Sequence, residues 1–153
     1  IDALDVLFTS DAPEFHGKFF DFGPISFEPK PVQSPRPRFH IGGNGPAAFD
    51  RAVLRGDGWY GGGGSAEQLA PIVADLRRRR ADNGREDSFE ISIVSIGSPP
   101  DRTELDRLSA VGVDRLVVTP FGDPASPPFP GTVSAKSAVA DIERYAESIS
   151  LAS

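Results

Sequence analysis

The chain has 153 residues, of which 39% are hydrophobic and 25% charged, and its formal net charge is −6. This length and composition suit one domain with a buried core, whereas the acidic balance argues against a nucleic-acid partner. No stretch approaches the roughly 20 apolar residues of a membrane span, no signal peptide is visible and cysteine is absent, so we predict a cytoplasmic protein without a membrane partner. No metal site is expected, because the two histidines stand far apart in the sequence.

The first 38 residues combine three patterns. Residues 1–8 have the pattern of the end of an amphipathic helix, residues 15–22 alternate with a period of two and predict a small β-hairpin, and residues 29–37 form a proline-rich connector that excludes helix. Because the first pattern starts without a cap and the chain holds no Met, we expect the chain to begin inside a longer protein.

Residues 39–59 predict a strand, a glycine-rich turn, a helix and the start of the next strand. The turn consists of Gly42, Gly43, Asn44 and Gly45. Its glycines lack a Cβ atom, so the backbone can turn sharply and a ligand can approach it closely. Pro46 suits the first helical position, and the free amides and positive dipole at a helix N-terminus bind anions. The turn is therefore a predicted phosphate site.

Two other interpretations fit the same turn. A glycine-rich turn between a strand and a helix often has no ligand, and the spacing Gly43-x-Gly45-x-x-Ala48 also fits the dinucleotide fingerprint G-x-G-x-x-A. That fingerprint expects an acidic residue at the end of the next strand, about 20 residues further on. Here Asp57 precedes the strand, which continues into the glycines of residues 61–64, so a dinucleotide site is disfavoured.

Two further strands, each followed by a helix, come next in the chain. The second strand, residues 58–60, leads into a helix with a capping box formed by Ser65 and Gln68. The third strand, residues 89–96, ends shortly before a helix that Asp101 caps.

The last strand and helix complete the pattern. The fourth strand is predicted at residues 113–119, with 116–118 buried on both faces as in most parallel sheets. A proline-rich loop at 123–132 precedes a final helix that starts near Ser134. The only basic run, residues 77–80, lies at the end of the second helix and is interpreted as a solvated helix end.

Four strands, each followed by a helix, predict a parallel sheet with right-handed crossovers. A (β/α)8 barrel needs eight such units and about 250 residues, so the pattern in this chain covers half of a barrel. We therefore predict an α/β fold in which residues 1–153 form a single partial barrel domain, with residues 1–38 preceding the four units of residues 39–153.

Six segments, taken in order, resemble the C-terminal half of the bacterial luciferase-like family of flavin- or deazaflavin (F420)-dependent oxidoreductases and monooxygenases. They are Phe-His-Gly-Lys-Phe-Phe-Asp-Phe at 15–22, Pro-Lys-Pro-Val-Gln at 29–33, Ile-Gly-Gly at 41–43, Arg-Ala at 51–52, Gly-Asp-Gly-Trp at 56–59 and Gly-Val-Asp-Arg-Leu-Val at 112–117. The likeness covers nearly the whole chain. It implies strands five to eight of a TIM-type barrel, with a small β-hairpin insertion and a cofactor at the C-terminal ends of the strands.

The resemblance also implies roles for individual residues. The phosphate end of the cofactor would lie over the turn at residues 42–45, and Trp59 and Tyr60 would face the ring or the substrate, although both also fit a plain core position. His40 is more typical of a packed histidine than of a base. The residues that take part in the chemistry lie mostly in strands one to four of the family, so the catalytic residues are unknown and this chain alone is expected to be inactive.

The resemblance favours F420 as the cofactor, with FMN as the alternative, and hydride transfer to or from a small organic substrate. The expected partners are another copy of the chain or the missing N-terminal half. Two alternatives remain. One is a phosphate-binding barrel of another class, supported by Gly97, Ser98, Phe121 and Gly122 in the loops after strands seven and eight. The other is a non-catalytic half-barrel that serves binding or assembly.

Overall fold

The computed structural model describes residues 1–85, 87–95, 100–118 and 135–149. The chain divides into two compact units, Ile1–Phe39 and His40–Ser153, which we call the N-terminal and C-terminal units. Their boundary falls one residue after the predicted end of the first segment at residue 38, and the prediction that both belong to one barrel domain stays a prediction. The predicted loop residues Gly97, Ser98, Phe121 and Gly122, the proline-rich loop at 123–132 and Ser134 lie outside the described residues.

The N-terminal unit contains one helix and one antiparallel strand pair. Helix α1 spans Asp2–Thr9, and strands β1 (Phe15–His16) and β2 (Asp21–Phe22) form the predicted hairpin. The ammonium group of Lys30 donates hydrogen bonds to the carbonyl oxygens of Leu7 (3.0 Å) and Ser10 (2.7 Å). Because the carbonyls at a helix C-terminus lack intrahelical partners, Lys30 both satisfies these acceptors and offsets the negative end of the α1 dipole.

The C-terminal unit is a parallel four-stranded sheet with helices after its strands. The strands are β3 (His40–Gly42), β4 (Gly58–Gly62), β5 (Glu90–Ser95) and β6 (Arg115–Val118), and the helices are α2 (Pro46–Arg55), α3 (Ala66–Asp82), α4 (Arg102–Ala110) and α5 (Ala135–Ser148). The strands are ordered β3-β4-β5-β6 and all pair in parallel. This α/β arrangement, in which strand order follows chain order, is consistent with a partial TIM-type barrel.

The two faces of this sheet differ because successive side chains of a strand point to opposite sides. Ile41, Trp59 and Ile91 are paired across β3, β4 and β5, and they pack into the core that the helices cover. That core also contains Ala52, Val53, Leu69, Val73, Leu76, Ile93 and Leu108. On the opposite face, His40 and Glu90 lie in register on either side of Gly58. We call this opposite side the inner face, since it corresponds to the interior of a barrel.

Strand β6 does not have the predicted burial on both faces. Leu116 packs against the core, whereas Val117 is 37% exposed on the inner face. Within the described part of the C-terminal unit, helices cover only one side of the sheet. The prediction for residues 116–118 was therefore wrong for this chain, because a parallel strand is buried twice only where both faces of its sheet are covered.

The basic run at residues 77–80 is only partly a solvated helix end. Arg78 is exposed, whereas Arg80 is 2% exposed and donates hydrogen bonds to the carbonyl oxygens of Val53 (3.3 Å) and Gly56 (3.0 Å). Arg80 also pairs with Asp87 at 2.7 Å. Burial lowers the pKa of the Arg80 guanidinium, and nearby Arg85 lowers it further. Arg80 therefore connects the C-terminal end of α2 with the segment before β5. The sequence did not predict this role, because Arg80 lies within a run of basic residues.

Candidate cofactor site

The turn between β3 and α2 presents backbone amides to solvent. Gly45 is the N-cap residue of α2, Pro46 occupies the first turn, and the N-cap makes no side-chain hydrogen bond. The amide of Ala48 donates to the carbonyl of Gly45 at 2.9 Å. No residue in the described ranges accepts a hydrogen bond from the amides of Asn44, Gly45 or Ala47. These three donors therefore remain available at the positive end of the α2 dipole.

Three hydrogen bonds to residues of β4 hold the turn in place. The Gly43 amide donates to the carbonyl of Tyr60 (3.2 Å), and the indole Nε1 of Trp59 donates to the carbonyl of Gly43 (2.7 Å). The side-chain oxygen of Asn44 accepts from the amide of Gly62 at 3.0 Å. Gly43 has φ +117°, a conformation that side-chain-bearing residues rarely adopt. The sequence of the turn thus fixes a shape that glycine alone tolerates.

The N-termini of α3 and α4 are closed by the chain's own side chains. In α3, Ser65 and Gln68 form the predicted capping box, and the carboxylate of Glu104 accepts from the amide of Ala66 at 3.1 Å. In α4, the Asp101 carboxylate accepts from the amide of Glu104 at 2.9 Å. Helix α2 has neither a side-chain cap nor an acidic residue in its first turn. Of these three helices, α2 is the one that leaves room for an anion from outside the chain.

The Glu67 carboxylate at the α3 N-terminus illustrates the direction in which such amides act on an anion. Glu67 lies in the first turn of α3, and hydrogen bonds from the backbone and from Ser65 hold its pKa below the usual value. The open amides at the start of α2 are donors of the same kind, with no side chain of the chain bonded to them. The site is also accessible, because a Cβ built on Gly45 meets nothing within 4 Å.

The structure separates the two aromatic residues that were expected to face a cofactor ring. Trp59 is 1% exposed and packs edge-on against Phe49 with 5.6 Å between ring centroids. This position corrects the expectation that Trp59 contacts the ring, because its side chain lies in the core. Tyr60 is the next residue along β4 and projects to the inner face, where it is half-buried.

His40 belongs to a polar cluster that the sequence had not revealed. Its Nδ1 lies 3.4 Å from the hydroxyl of Ser92 and 3.9 Å from the Glu90 carboxylate. The Ser92 hydroxyl donates to Glu90 at 2.9 Å, and the Arg115 guanidinium pairs with the same carboxylate at 2.9 Å. A Cβ on Gly58 would come within 3.0 Å of the His40 ring, so this glycine makes room for the cluster.

The position of this cluster argues for a packing role. His40, Glu90 and Arg115 are the first residues of their strands, so they lie at the N-terminal edge of the sheet. The α2 turn follows the C-terminal end of β3, and active sites of TIM-type folds lie at that C-terminal edge. One sequence pattern could have indicated the cluster. Glu90 and Ser92 alternate with the buried Ile91 and Ile93, which places the two polar residues on one face of β5.

The residues of the α2 turn fit a phosphate-bearing cofactor. They supply neutral backbone donors, a helix dipole of the right sign and no competing carboxylate in the first turn. A parallel α/β sheet with such a turn at its C-terminal edge is consistent with a partial TIM-type barrel, the class of fold in which cofactors lie at that edge. Residues 1–100 match the family described as luciferase-like monooxygenase, and the chain belongs to that family. The matched region includes the whole turn.

Similar proteins agree with this assignment. The chain is 33% identical over 156 residues to the uncharacterized protein Rv0940c of Mycobacterium tuberculosis, an alignment that covers 97% of this chain and 50% of the relative. It is 38% identical over 84 residues to an FMNH(2)-dependent dimethylsulfone monooxygenase of Pseudomonas putida, covering 55% of this chain and 23% of that enzyme. The chain therefore spans about half the length of its mycobacterial relative and less of the other.

A solved structure supports the fold. The crystal structure of monooxygenase RslO1 from Streptomyces bottropensis is similar with a TM-score of 0.65 and 15% sequence identity. The similarity covers 97% of this chain and 58% of that chain. In the described ranges, no helix is both long enough and apolar enough to cross a bilayer.

Proposed function

We propose that the chain is part of a monooxygenase that uses reduced FMN and acts on a small organic molecule. The observation that carries this proposal is the uncapped N-terminus of α2, whose three free amides lie inside the region matched to the family. The name of the Pseudomonas putida relative supports FMN as the cofactor. F420, which the sequence resemblance favours, stays a prediction, since its phosphate would fit the same amides.

In this proposal the chain anchors and orients the cofactor. The amides of Asn44, Gly45 and Ala47 would hold its phosphate, and the α2 dipole would offset part of the phosphate charge. Tyr60, on the inner face, is the described residue of β4 that lies on the side where a ring or substrate would be placed in a barrel. When bound, reduced flavin supplies the electrons for dioxygen activation and substrate oxygenation.

In the complete enzyme, the four strands of the C-terminal unit would be strands five to eight of an eight-stranded barrel. Support comes from the strand order, from the similarity to RslO1 and from the mycobacterial relative of twice this length. The residues that carry out the chemistry would then belong to the other four strands. We accordingly expect the 153-residue chain to bind the phosphate end of the cofactor and to lack monooxygenase activity.

Titration with paired ligands tests the cofactor assignment. FMN is expected to shift the backbone amide signals of Asn44, Gly45 and Ala47 in NMR spectra of the chain, and riboflavin, which lacks the phosphate, is expected to bind at least about tenfold more weakly. If the chain binds F420 and does not bind FMN, the cofactor is F420 and the FMN assignment is wrong. A response to a sugar phosphate but to neither cofactor would favour a phosphate-binding barrel of another class, and no response to any of them would favour a non-catalytic module.

Self-association is a second expected result. Among the described strands, β3 and β6 each pair with one strand only, and the inner face carries half-buried side chains such as Tyr60 and Val94. Unpaired strand edges and an uncovered sheet face favour association with another chain. Light scattering should therefore give a dimer or a larger species for the chain alone. A compact monomer that remains stable at micromolar concentration would contradict the half-barrel assignment.

A further inference from the structure

We propose that Trp59 is a positioning residue for the cofactor turn, and that its indole N–H sets the orientation of the peptide bond between Gly43 and Asn44. The inference rests on the proposed function and deepens it. The indole Nε1 donates to the Gly43 carbonyl at 2.7 Å. Family membership and the resemblance give Trp59 no such role, and its 1% exposure excludes direct contact with a ligand in solvent.

The indole is held firmly enough to impose an orientation. Its ring packs edge-on against Phe49, and a Cβ built on Gly61 would lie 2.0 Å from the ring, so the indole covers the position where any other residue would place a side chain. Phe49 is itself on α2, one turn from the start of the helix. The donor therefore belongs to a core element that contacts the same helix whose N-terminus forms the site.

The orientation of this peptide decides whether the turn attracts or repels an anion. A trans peptide is planar, and its carbonyl and amide point in opposite directions. With the Gly43 oxygen bonded to the buried indole, the Asn44 amide is directed away from the core, to the exposed side of the turn. The reverse orientation would present a carbonyl oxygen to the phosphate. The backbone at Gly43 could adopt either orientation, because glycine has no Cβ atom to restrict its dihedral angles, and it already adopts φ +117°.

A second contact keeps the Asn44 side chain from interfering. Its oxygen accepts from the Gly62 amide at 3.0 Å, which directs the side chain along β4. The Gly43 amide is likewise engaged, donating to Tyr60 at 3.2 Å. The two oxygens of the turn that would repel a phosphate, the Gly43 carbonyl and the Asn44 side-chain oxygen, are thus bonded to β4, and the backbone amide of Asn44 is left without a partner in the described ranges.

The variant Trp59→Phe removes the N–H and keeps an aromatic ring in the core. We expect it to weaken FMN binding by about tenfold or more, as for a lost hydrogen bond to a charged group, while riboflavin affinity changes by less than about twofold. Phe49→Leu is the matched control, because it loosens the packing of the same ring and retains the indole donor. It should leave the ratio of FMN to riboflavin affinity as in the wild type.

The outcomes separate this inference from the proposed function. If the wild-type chain does not prefer FMN over riboflavin, the phosphate site itself is wrong. If the wild type prefers FMN and Trp59→Phe retains that preference, or if Phe49→Leu loses it equally, the positioning role of the indole is wrong.

A measurement on the wild type covers the case in which the Phe variant does not fold. The chain contains one Trp, so its indole N–H gives a single NMR signal. We expect saturation with FMN to shift this signal and to slow its exchange with solvent, and riboflavin to leave it unchanged. An indole signal that does not respond to bound FMN would overturn the proposal.

Discussion

Gly45→Asp is expected to lower the affinity for FMN by about a hundredfold or more while leaving the thermal stability equal or slightly higher. The new carboxylate would lie at the α2 N-cap, where a charge a few ångströms from the phosphate costs about 3 kcal/mol at an effective dielectric constant near 20. Gly45 has φ −101° and ψ 163°, ordinary values for an N-cap, and Asp is as favourable there as glycine or more so. Binding titration and a thermal melt measure both effects.

Gly45→Asn provides the neutral control. Asn has almost the same shape as Asp and can cap α2 equally. A loss of FMN affinity that both variants share therefore reports steric blocking or capping. The additional loss in the Asp variant reports the effect of its charge. Gly43 is unsuitable for this test, because φ +117° strains any other residue and a Cβ there would lie 3.0 Å from that of Ala48. FMN binding by Gly45→Asp at wild-type affinity would show that the phosphate is held elsewhere.

Arg80→Ala is expected to reduce the free energy of unfolding by about 2–4 kcal/mol. The change removes a buried side chain and leaves the carbonyls of Val53 and Gly56 without this donor. It also removes the stacking of the guanidinium on Phe89, at 4.5 Å from the ring centroid. Urea unfolding followed by circular dichroism measures the difference. FMN affinity under folding conditions should stay within about twofold, since the site lies at the other end of α2.

The neighbouring Arg78 supplies the control for Arg80. It lies on the same helix and pairs with Asp75 (2.5 Å) and Asp82 (2.8 Å), yet it is exposed. Such surface pairs contribute little, so Arg78→Ala should change the stability by about 0.5 kcal/mol or less. Equal losses for the two variants would mean that the buried contacts of Arg80 contribute no more than a surface ion pair.

The turn and the helix caps could be predicted because they depend on local sequence. Glycines ahead of Pro46 permit the turn, and Ser65 three residues before Gln68 specifies a capping box wherever the helix lies in space. The structure confirms both features and gives Gly45 as the N-cap. Local sequence did not predict two features of the helix N-termini. Helix α2 has no side-chain cap, and Glu104 of α4 accepts a hydrogen bond from the first residue of α3.

Tertiary contacts account for the failed predictions. Arg80 follows Leu69, Val73 and Leu76 at helical spacing, so its place on the buried stripe was visible, but its charge and its basic neighbours indicated solvent. The carbonyl acceptors that make its burial tolerable belong to α2 and to the residue after it. Of the two interpretations left open for Trp59, the core one agrees with the structure, and the ring-facing one fails because adjacent residues of a strand point to opposite faces.

The order of the strands has a consequence for how the C-terminal unit folds. Because β3, β4, β5 and β6 are neighbours in space in the order in which they follow along the chain, each strand and its helix form an interface mainly with the preceding and the following pair. Stability then approximates a sum of repeat and nearest-neighbour terms, as in a solenoid. Removing a terminal repeat abolishes one interface, whereas disrupting β4 or β5 abolishes two. Folding can then begin in any of these units, and among the described strands the loss of β3 or β6 costs the fewest interfaces.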